Sequence, residues 1–104
     1  MGSAHSPKFG YVKDLPKGDM TVVKDGDREI LLINLGSGIY ALDNFCSHNG
    51  CRLLYGALEG ETLRCPCHSS VFNVKTGEVV KGPATTPQPT YGVAINNGEI
   101  TLAP

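Results

Sequence analysis

The sequence has no long apolar run and no excess of charge of either sign. Its longest uninterrupted apolar stretch is Ile30-Leu31-Leu32-Ile33, far short of the roughly 20 residues that a membrane-spanning helix needs. Nine basic and ten acidic side chains give a formal net charge of -1. They are scattered singly, so they form neither a basic stripe for nucleic acid nor a polybasic membrane anchor. The sequence therefore predicts a soluble protein that binds neither nucleic acid nor membranes.

Signals for export and for enzymatic chemistry are also missing. The N-terminus has no charged region followed by an apolar core, so we expect a cytoplasmic protein. No Ser/His/Asp set, paired-carboxylate motif or glycine-rich nucleotide loop can be identified, and we therefore expect no catalytic site. Residues 1–8 are expected to be a disordered tail or an expression remnant, with His5 solvated, and residues 9–104 to form one domain.

Helical periodicity is absent, and short strand-like segments take its place. The expected strands are residues 9–13, 20–24, 29–35, 39–43, 62–64, 72–74, 91–95 and 99–102. Asn96-Asn97-Gly98 predicts a tight hairpin turn, and residues 56–61 are rich in turn formers. The three prolines of residues 82–89 predict a stiff extended loop. The pattern indicates an all-β sandwich or barrel.

All four cysteines and two of the three histidines lie in two short boxes. The first is Cys46-Ser47-His48-Asn49-Gly50-Cys51, and the second is Cys65-Pro66-Cys67-His68-Ser69-Ser70. Each box offers a thiolate and an imidazole at close spacing, and two such pairs on neighbouring loops describe a four-ligand metal site. These ligand types suit zinc as well as an iron–sulfur cluster, so the residue types alone leave both open.

The two boxes resemble those of the Rieske family, which read Cys-x-His-x-Gly-Cys and Cys-Pro-Cys-His-x-Ser. The resemblance extends through Ile39-Tyr40-Ala41-Leu42 before the boxes and Thr76-Gly77-Glu78 after them. It implies an all-β, Rieske-like antiparallel sandwich with a small cluster-binding subdomain formed by two loops, at about residues 44–84. It also favours one 2Fe-2S cluster over zinc, because paired boxes are more specific than isolated Cys/His pairs.

The resemblance assigns Cys46 and Cys65 to one iron of the cluster, and His48 and His68 to the other. Two ferric ions, two sulfides and two thiolates sum to zero charge, whereas four thiolates would leave the oxidised cluster doubly negative. A neutral site accepts an electron more easily than an anion. Reduction potentials of such clusters are therefore about -150 to +300 mV, against about -400 mV for plant-type clusters. Exposed imidazoles would also couple reduction to protonation.

Two cysteines and two serines of the boxes take further roles through the same resemblance. Cys51 and Cys67 match a disulfide that ties the two loops together in high-potential members. The alternative is two buried thiols, since disulfides are scarce in reducing cytoplasm. Ser70 matches a serine whose hydroxyl bonds a cluster sulfide, or else is an ordinary turn serine. Ser69 replaces a glycine, so we expect its backbone not to reach the same positive φ.

Two features beyond the boxes bear on the reduction potential and on the covering of the cluster. Phe72 stands where high-potential members carry a tyrosine that bonds the liganding thiolate, so a lower potential is expected here. Gly82-Pro83-Ala84 matches the loop that covers the cluster. Together with the disulfide, these features predict an intermediate potential, below that of respiratory Rieske proteins.

A Rieske domain without a membrane helix or a catalytic domain resembles a soluble Rieske-type ferredoxin. Such a protein is not an enzyme and carries single electrons from a reductase to an oxygenase or another acceptor. The alternatives are a Rieske small subunit of a nitrite-reductase-type or arsenite-oxidase-type assembly, and a zinc-stabilised interaction module. We expect a monomer that docks its redox partners through the tip of the cluster-binding subdomain. The predicted docking residues are His48, His68, Leu53, Leu54 and Pro83, although both leucines also suit a core.

Overall fold

The computed structural model of the protein describes residues 8–47, 50–67 and 69–103. These residues form eleven strands and two 3-10 helices, Val12–Asp14 and Leu53–Tyr55. The strands are β1 Lys8–Tyr11, β2 Met20–Asp25, β3 Arg28–Asn34, β4 Ile39–Asp43, β5 Ala57–Glu59, β6 Thr62–Arg64, β7 Val71–Asn73, β8 Val79–Lys81, β9 Thr90–Tyr91, β10 Val93–Asn96 and β11 Glu99–Leu102. The predicted all-β class is confirmed. Neither helix of the described residues could span a membrane.

The strands form three antiparallel sheets. One has the order β2-β3-β4-β9, and a second has the order β1-β11-β10. The third, β5-β6-β7-β8, carries the second box in the connection between β6 and β7. The first two sheets enclose one apolar cluster of buried side chains, and the first and third sheets enclose another. The first sheet is therefore the middle layer of the molecule.

Strand β3 shows why the longest apolar run of the sequence lies where it does. Ile30 and Leu32 pack in the cluster that also contains residues of β11, whereas Leu31 and Ile33 pack in the cluster that contains the third sheet. Successive side chains of a strand point to opposite faces. A strand between two layers is therefore apolar at consecutive positions, as this one is.

Several strand predictions differ from the structure. No strand was expected at Val79–Lys81, which forms β8 by pairing with β7. Residues 57–59, expected to be turn, form β5 because they pair with β6 across the turn at Gly60. The strand expected at residues 91–95 is interrupted at Gly92, since Tyr91 pairs with β4 and Val93 pairs with β11. The first strand begins at Lys8 and ends at Tyr11, because the chain then turns into the first 3-10 helix.

The two strongest turn signals are confirmed. Asn97 and Gly98 connect β10 to β11 with φ values of 53° and 82°, and consecutive positive φ values are typical of the tight hairpin turn that such residues form. Residues 82–89 contain no strand. The proline-rich segment thus crosses from β8 to β9 as a loop and returns the chain from the third sheet to the first.

Candidate metal centre

The first box is closed at its base by one isolated antiparallel bridge. Phe45 and Arg52, on either side of the box, form this bridge, and the loop that it closes is called the first hairpin below. The N–H of Cys46, the first residue of the box, donates to the carbonyl of Cys51, the sixth, at 2.8 Å. The N–H of Gly50, the fifth, donates back to the carbonyl of Cys46, also at 2.8 Å.

The second box closes with the same pair of hydrogen bonds. Arg64 and Val71 pair at the ends of β6 and β7. The N–H of Cys65 donates to the carbonyl of Ser70 at 2.7 Å, and the N–H of Ser69 donates to the carbonyl of Cys65 at 3.2 Å. The two boxes therefore have equivalent hydrogen bonding, although their sequences share only the first cysteine and the length of six residues.

The equivalence explains why the expectation for Ser69 is wrong. Ser69 has a φ of 62°, and Gly50, at the same fifth position of the other box, has a φ of 77°. In both boxes the fifth N–H turns back to the first carbonyl, and an antiparallel residue pair holds the ends of the loop, an isolated bridge in the first box and the end of β6 and β7 in the second. A serine accepts this left-handed conformation at a cost of about 1–2 kcal/mol.

The first residue of each box is a buried cysteine. Cys46 is 3% exposed and Cys65 is 1% exposed, and both belong to one cluster of packed buried side chains that includes Leu63, Phe72 and Ala84. Equivalent hairpin tips thus place two thiols within the same apolar cluster. Thiolates are ligands for soft and borderline metals and for iron–sulfur clusters.

The two box loops are joined by a disulfide bond between Cys51 and Cys67. Their Cα atoms lie 6.3 Å apart, within the usual range for a disulfide. Cys51 is half-buried and Cys67 is exposed, so the structure differs from the alternative of two buried thiols. Cys46 and Cys65 are not part of a disulfide.

Ser70 connects the second box to the covering loop. Its side chain is fully buried, and its Oγ accepts a hydrogen bond from the N–H of Ala84 at 3.0 Å. The preceding Gly82 and Pro83 are exposed. Phe72, two residues after Ser70, is fully buried in β7. The loop at residues 82–84 is therefore held against the second box by the serine hydroxyl.

The two predicted histidine ligands, His48 and His68, lie outside the described residues, as does His5. Within the described ranges, no three histidine, cysteine, aspartate or glutamate side chains are arranged to hold a metal ion. The set of four ligands, Cys46, His48, Cys65 and His68, therefore stays a prediction. What the structure adds is the equivalent placement of its two cysteines.

Leu53 does not belong to the predicted docking surface. Its side chain is 0% exposed, because the N–H of Leu53 bonds the carbonyl of Asn44 at 2.7 Å and the 3-10 helix turns the side chain into the core. Leu54 is half-buried and Pro83 is exposed. Tyr55, which the sequence analysis did not single out, is 73% exposed.

A polar network supports the base of the first hairpin. Asn44 is buried; its Nδ2 donates to Glu29 Oε1 at 3.0 Å, and its Oδ1 accepts the Leu54 N–H at 3.0 Å. Arg52 Nε donates to the same Glu29 oxygen at 3.1 Å, and its guanidinium lies 5.1 Å from the centre of the Phe45 ring. These contacts join residues far apart in sequence, and no local pattern indicated them.

The hydrogen bonds from Arg52 and then from Asn44 lower the pKa of Glu29 below its ordinary value of 4.5. A carboxyl whose pKa is lower in the folded state than in the unfolded state stabilises the fold at pH values above its unfolded-state pKa. This stabilisation is lost as the pH falls through the folded-state pKa. Glu29→Gln should therefore be less stable than the native protein at pH 7, and the difference in their free energies of unfolding should become smaller below about pH 4.5. Denaturant unfolding of both proteins at several pH values measures this difference.

Arg52→Gln is a second test of the same pH dependence, because it removes the principal cause of the lowered Glu29 pKa. The difference between its free energy of unfolding and that of the native protein should become smaller over the same pH range. A gap that stays constant in both variants would show that the ionised Glu29 does not stabilise the hairpin base.

Gln88, in the proline-rich loop, is a further residue near the first box that no sequence motif indicated. Its side chain is 2% exposed. Its Nε2 donates to the carbonyls of Asp43 at 2.6 Å and Phe45 at 2.7 Å, and its Oε1 accepts the N–H of Ser47 at 2.9 Å. Ser47 Oγ also donates to the carbonyl of Thr86 at 2.7 Å. A glutamine among prolines reads as a solvated loop residue, and only the fold reveals these partners.

Known proteins with similar sequences and structures carry the same kind of domain. A family model described as Rieske [2Fe-2S] domain matches residues 5–92. The ferredoxin component of the naphthalene 1,2-dioxygenase/salicylate 5-hydroxylase systems of Ralstonia sp. is 40% identical over 89 residues, which cover 86% of each chain.

Two solved structures share the fold over nearly their whole length. The ferredoxin of carbazole 1,9a-dioxygenase from Nocardioides aromaticivorans IC177 superposes with a TM-score of 0.91 at 28% identity, covering 97% of this chain and 99% of that one. A chain of the complex of reduced oxygenase and oxidised ferredoxin in carbazole 1,9a-dioxygenase superposes with a TM-score of 0.88 at 30% identity. The match covers 93% of this chain and 100% of that one. With the two equivalent box loops, these matches show that the chain belongs to the Rieske [2Fe-2S] domain family.

Proposed function

We propose that this protein carries single electrons on one Rieske 2Fe-2S cluster, from a reductase to the oxygenase component of a dioxygenase system. The observation that carries the proposal is the pair of equivalent hairpin tips, each beginning with a buried thiol. The proposal that an oxygenase accepts the electrons is supported by the similar proteins, which are ferredoxin components of oxygenase systems. The protein is accordingly a carrier and not itself an enzyme.

The described residues fit such a cluster. The thiols of Cys46 and Cys65 lie in one buried apolar cluster, and apolar surroundings with few water contacts suit an iron–sulfur centre. The hydroxyl of Ser70 accepts the Ala84 N–H. Its side chain is fully buried, and as an acceptor it keeps a hydrogen of its own, which it would donate to a cluster sulfide.

When bound, the cluster supplies one-electron oxidation and reduction. The chain's own residues would hold and orient it: Cys46 and Cys65 would bind one iron as thiolates, and His48 and His68 would bind the other. The disulfide holds the two loops together at Cys51 and Cys67.

We place the docking surface at the tip of the cluster-binding subdomain. Its proposed residues are His48, His68, Leu54 and Pro83. Exposed Pro83 and half-buried Leu54 would give the surface an apolar character close to the thiols. Exposed Lys81, in β8 just before the covering loop, offers a way to perturb this surface without touching a proposed ligand.

The experiment that tests the function is stopped-flow transfer of electrons from the reduced protein to a dioxygenase oxygenase component. The native protein should reduce the oxygenase and be reduced again by a reductase. Lys81→Glu should slow the transfer, whereas the matched change Lys13→Glu, at an exposed position of the first 3-10 helix, should leave it unchanged. A colourless zinc protein would refute the carrier, and equal rates for both variants would refute the docking surface.

Phe72→Tyr should raise the reduction potential. Phe72 is fully buried in β7, within the cluster of side chains that contains Cys46 and Cys65. A hydroxyl that donates a hydrogen bond to a liganding thiolate stabilises the reduced, more negative state. Protein-film voltammetry measures the shift, with Phe72→Leu as the control for altered packing. An unchanged potential in the tyrosine variant would refute this role for the position.

A further inference from the structure

The side-chain amide of Gln88 uses both of its polar atoms on one short stretch of backbone. Nε2 donates to the carbonyl oxygens of Asp43 and Phe45, and Oε1 accepts the N–H of Ser47. The carbonyl of Phe45 belongs to the peptide group just before Cys46, and the N–H of Ser47 belongs to the peptide group just after it. One buried amide therefore fixes the two peptide groups on either side of a proposed ligand.

The backbone of Gln88 is anchored to the other half of the site. Its N–H donates to the carbonyl of Gly77 at 2.7 Å, and the N–H of Gly77 donates to the carbonyl of Asn73 at 2.7 Å. Asn73 ends β7, the strand that leaves the second box. Gln88 thus contacts the first hairpin through its side chain and the turn after β7 through its backbone.

Gly77 shows how closely the two segments approach. It is buried with a φ of 79°, and a Cβ atom built there would lie 2.1 Å from the carbonyl oxygen of Gln88. Only a glycine leaves room for this approach. The position of Gln88 is accordingly determined by the third sheet and not by the loop alone.

We propose that Gln88 is the positioning residue that holds Cys46 in its ligating orientation and fixes the first box relative to the second. The inference rests on the proposed function, because it assumes that Cys46 binds the cluster. Removing the amide leaves two carbonyls and one N–H in the hairpin without their partner. The backbone on both sides of Cys46 then gains freedom, and the geometry at the thiolate changes. Reduction potential and spectroscopic signature both depend on that geometry.

The test compares Gln88→Met with Leu102→Ala in the intact protein. Methionine keeps the length of the side chain and loses all three hydrogen bonds. Leu102 lies in β11, in the apolar cluster on the other side of the first sheet, so its truncation destabilises the fold at a distance from the boxes. Gln88→Met should shift the reduction potential and the reduced-state electron paramagnetic resonance spectrum. It should also lose iron to a chelator about tenfold faster or more.

Leu102→Ala, the control, should keep the native potential and spectrum even if its melting temperature falls as far as that of Gln88→Met. A Gln88→Met protein with the native potential, spectrum and rate of iron loss would overturn the inference. Should this variant fail to fold, amide hydrogen exchange in the native protein decides: strong protection of the Ser47 N–H supports the clamp, and exchange at the rate of an open loop overturns it. A native protein without any cluster signal would instead refute the proposed function.

Discussion

Cys65→Ala should abolish cluster binding while leaving the β-sheet content intact. Cys65 is 1% exposed and begins the second box, and its thiol is outside the disulfide. Removing a liganding thiolate leaves one iron with an open position and an uncompensated charge. Loss of a supporting residue alone costs about 10- to 100-fold in metal affinity, so loss of a ligand should cost at least about 100-fold.

Iron and acid-labile sulfide content, the visible absorption and far-ultraviolet circular dichroism of the purified variant test this prediction. The matched control is the double variant Cys51→Ser, Cys67→Ser, which also removes sulfur from both boxes but touches no proposed ligand. The control should keep its colour. A Cys65→Ala protein that bound iron as well as the native one would refute the assignment of the thiolate.

The same double variant should lower the free energy of unfolding by about 3 kcal/mol. The disulfide joins residues separated by 16 positions, and closing a loop of about 15 residues restricts the unfolded chain by about 3 kcal/mol. In a chain of 104 residues this is a large part of a total stability of about 5–15 kcal/mol. Denaturant unfolding of the double variant and the native protein, both with their clusters intact, measures the difference.

The oxidation state of the Cys51–Cys67 disulfide in living cells can also be predicted. Cys67 is exposed, so a thiol reductant can reach it, but Cys51 is half-buried and backbone hydrogen bonds close both loops that carry the bond. Alkylation followed by mass spectrometry of protein taken directly from cells should find Cys51 and Cys67 protected from the reagent. Two alkylated cysteines there, or equal stability of the double variant, would contradict a stabilising disulfide.

The features that the sequence predicts well are those that depend on local chemistry. Asn97 and Gly98 form the expected turn because their preference for positive φ is intrinsic. The strand expected at residues 29–35 is confirmed as β3, because its apolar run and the turn before it are local features of the chain. The boxes were found in the same way, since a cysteine and a histidine at close spacing suffice to suggest a metal site.

The features that the sequence did not predict depend on partners far along the chain. Leu53 is apolar and lies beside a box, and such a residue fits a docking surface and a core equally well. Its hydrogen bond to Asn44 places the side chain in the core. Ser69 takes a positive φ against its own preference because the hairpin closure requires it. Gln88 reaches residues more than forty positions away, and nothing in the proline-rich loop indicates their nearness.

The central claim is that the two box loops hold a histidine-ligated 2Fe-2S cluster that carries single electrons. A redox titration of the purified protein with optical detection tests it most directly. We predict one reversible one-electron step with a midpoint potential between about -150 and +300 mV. A protein without a redox-dependent absorption band, or one that titrates near the roughly -400 mV of an all-cysteine cluster, would contradict the account.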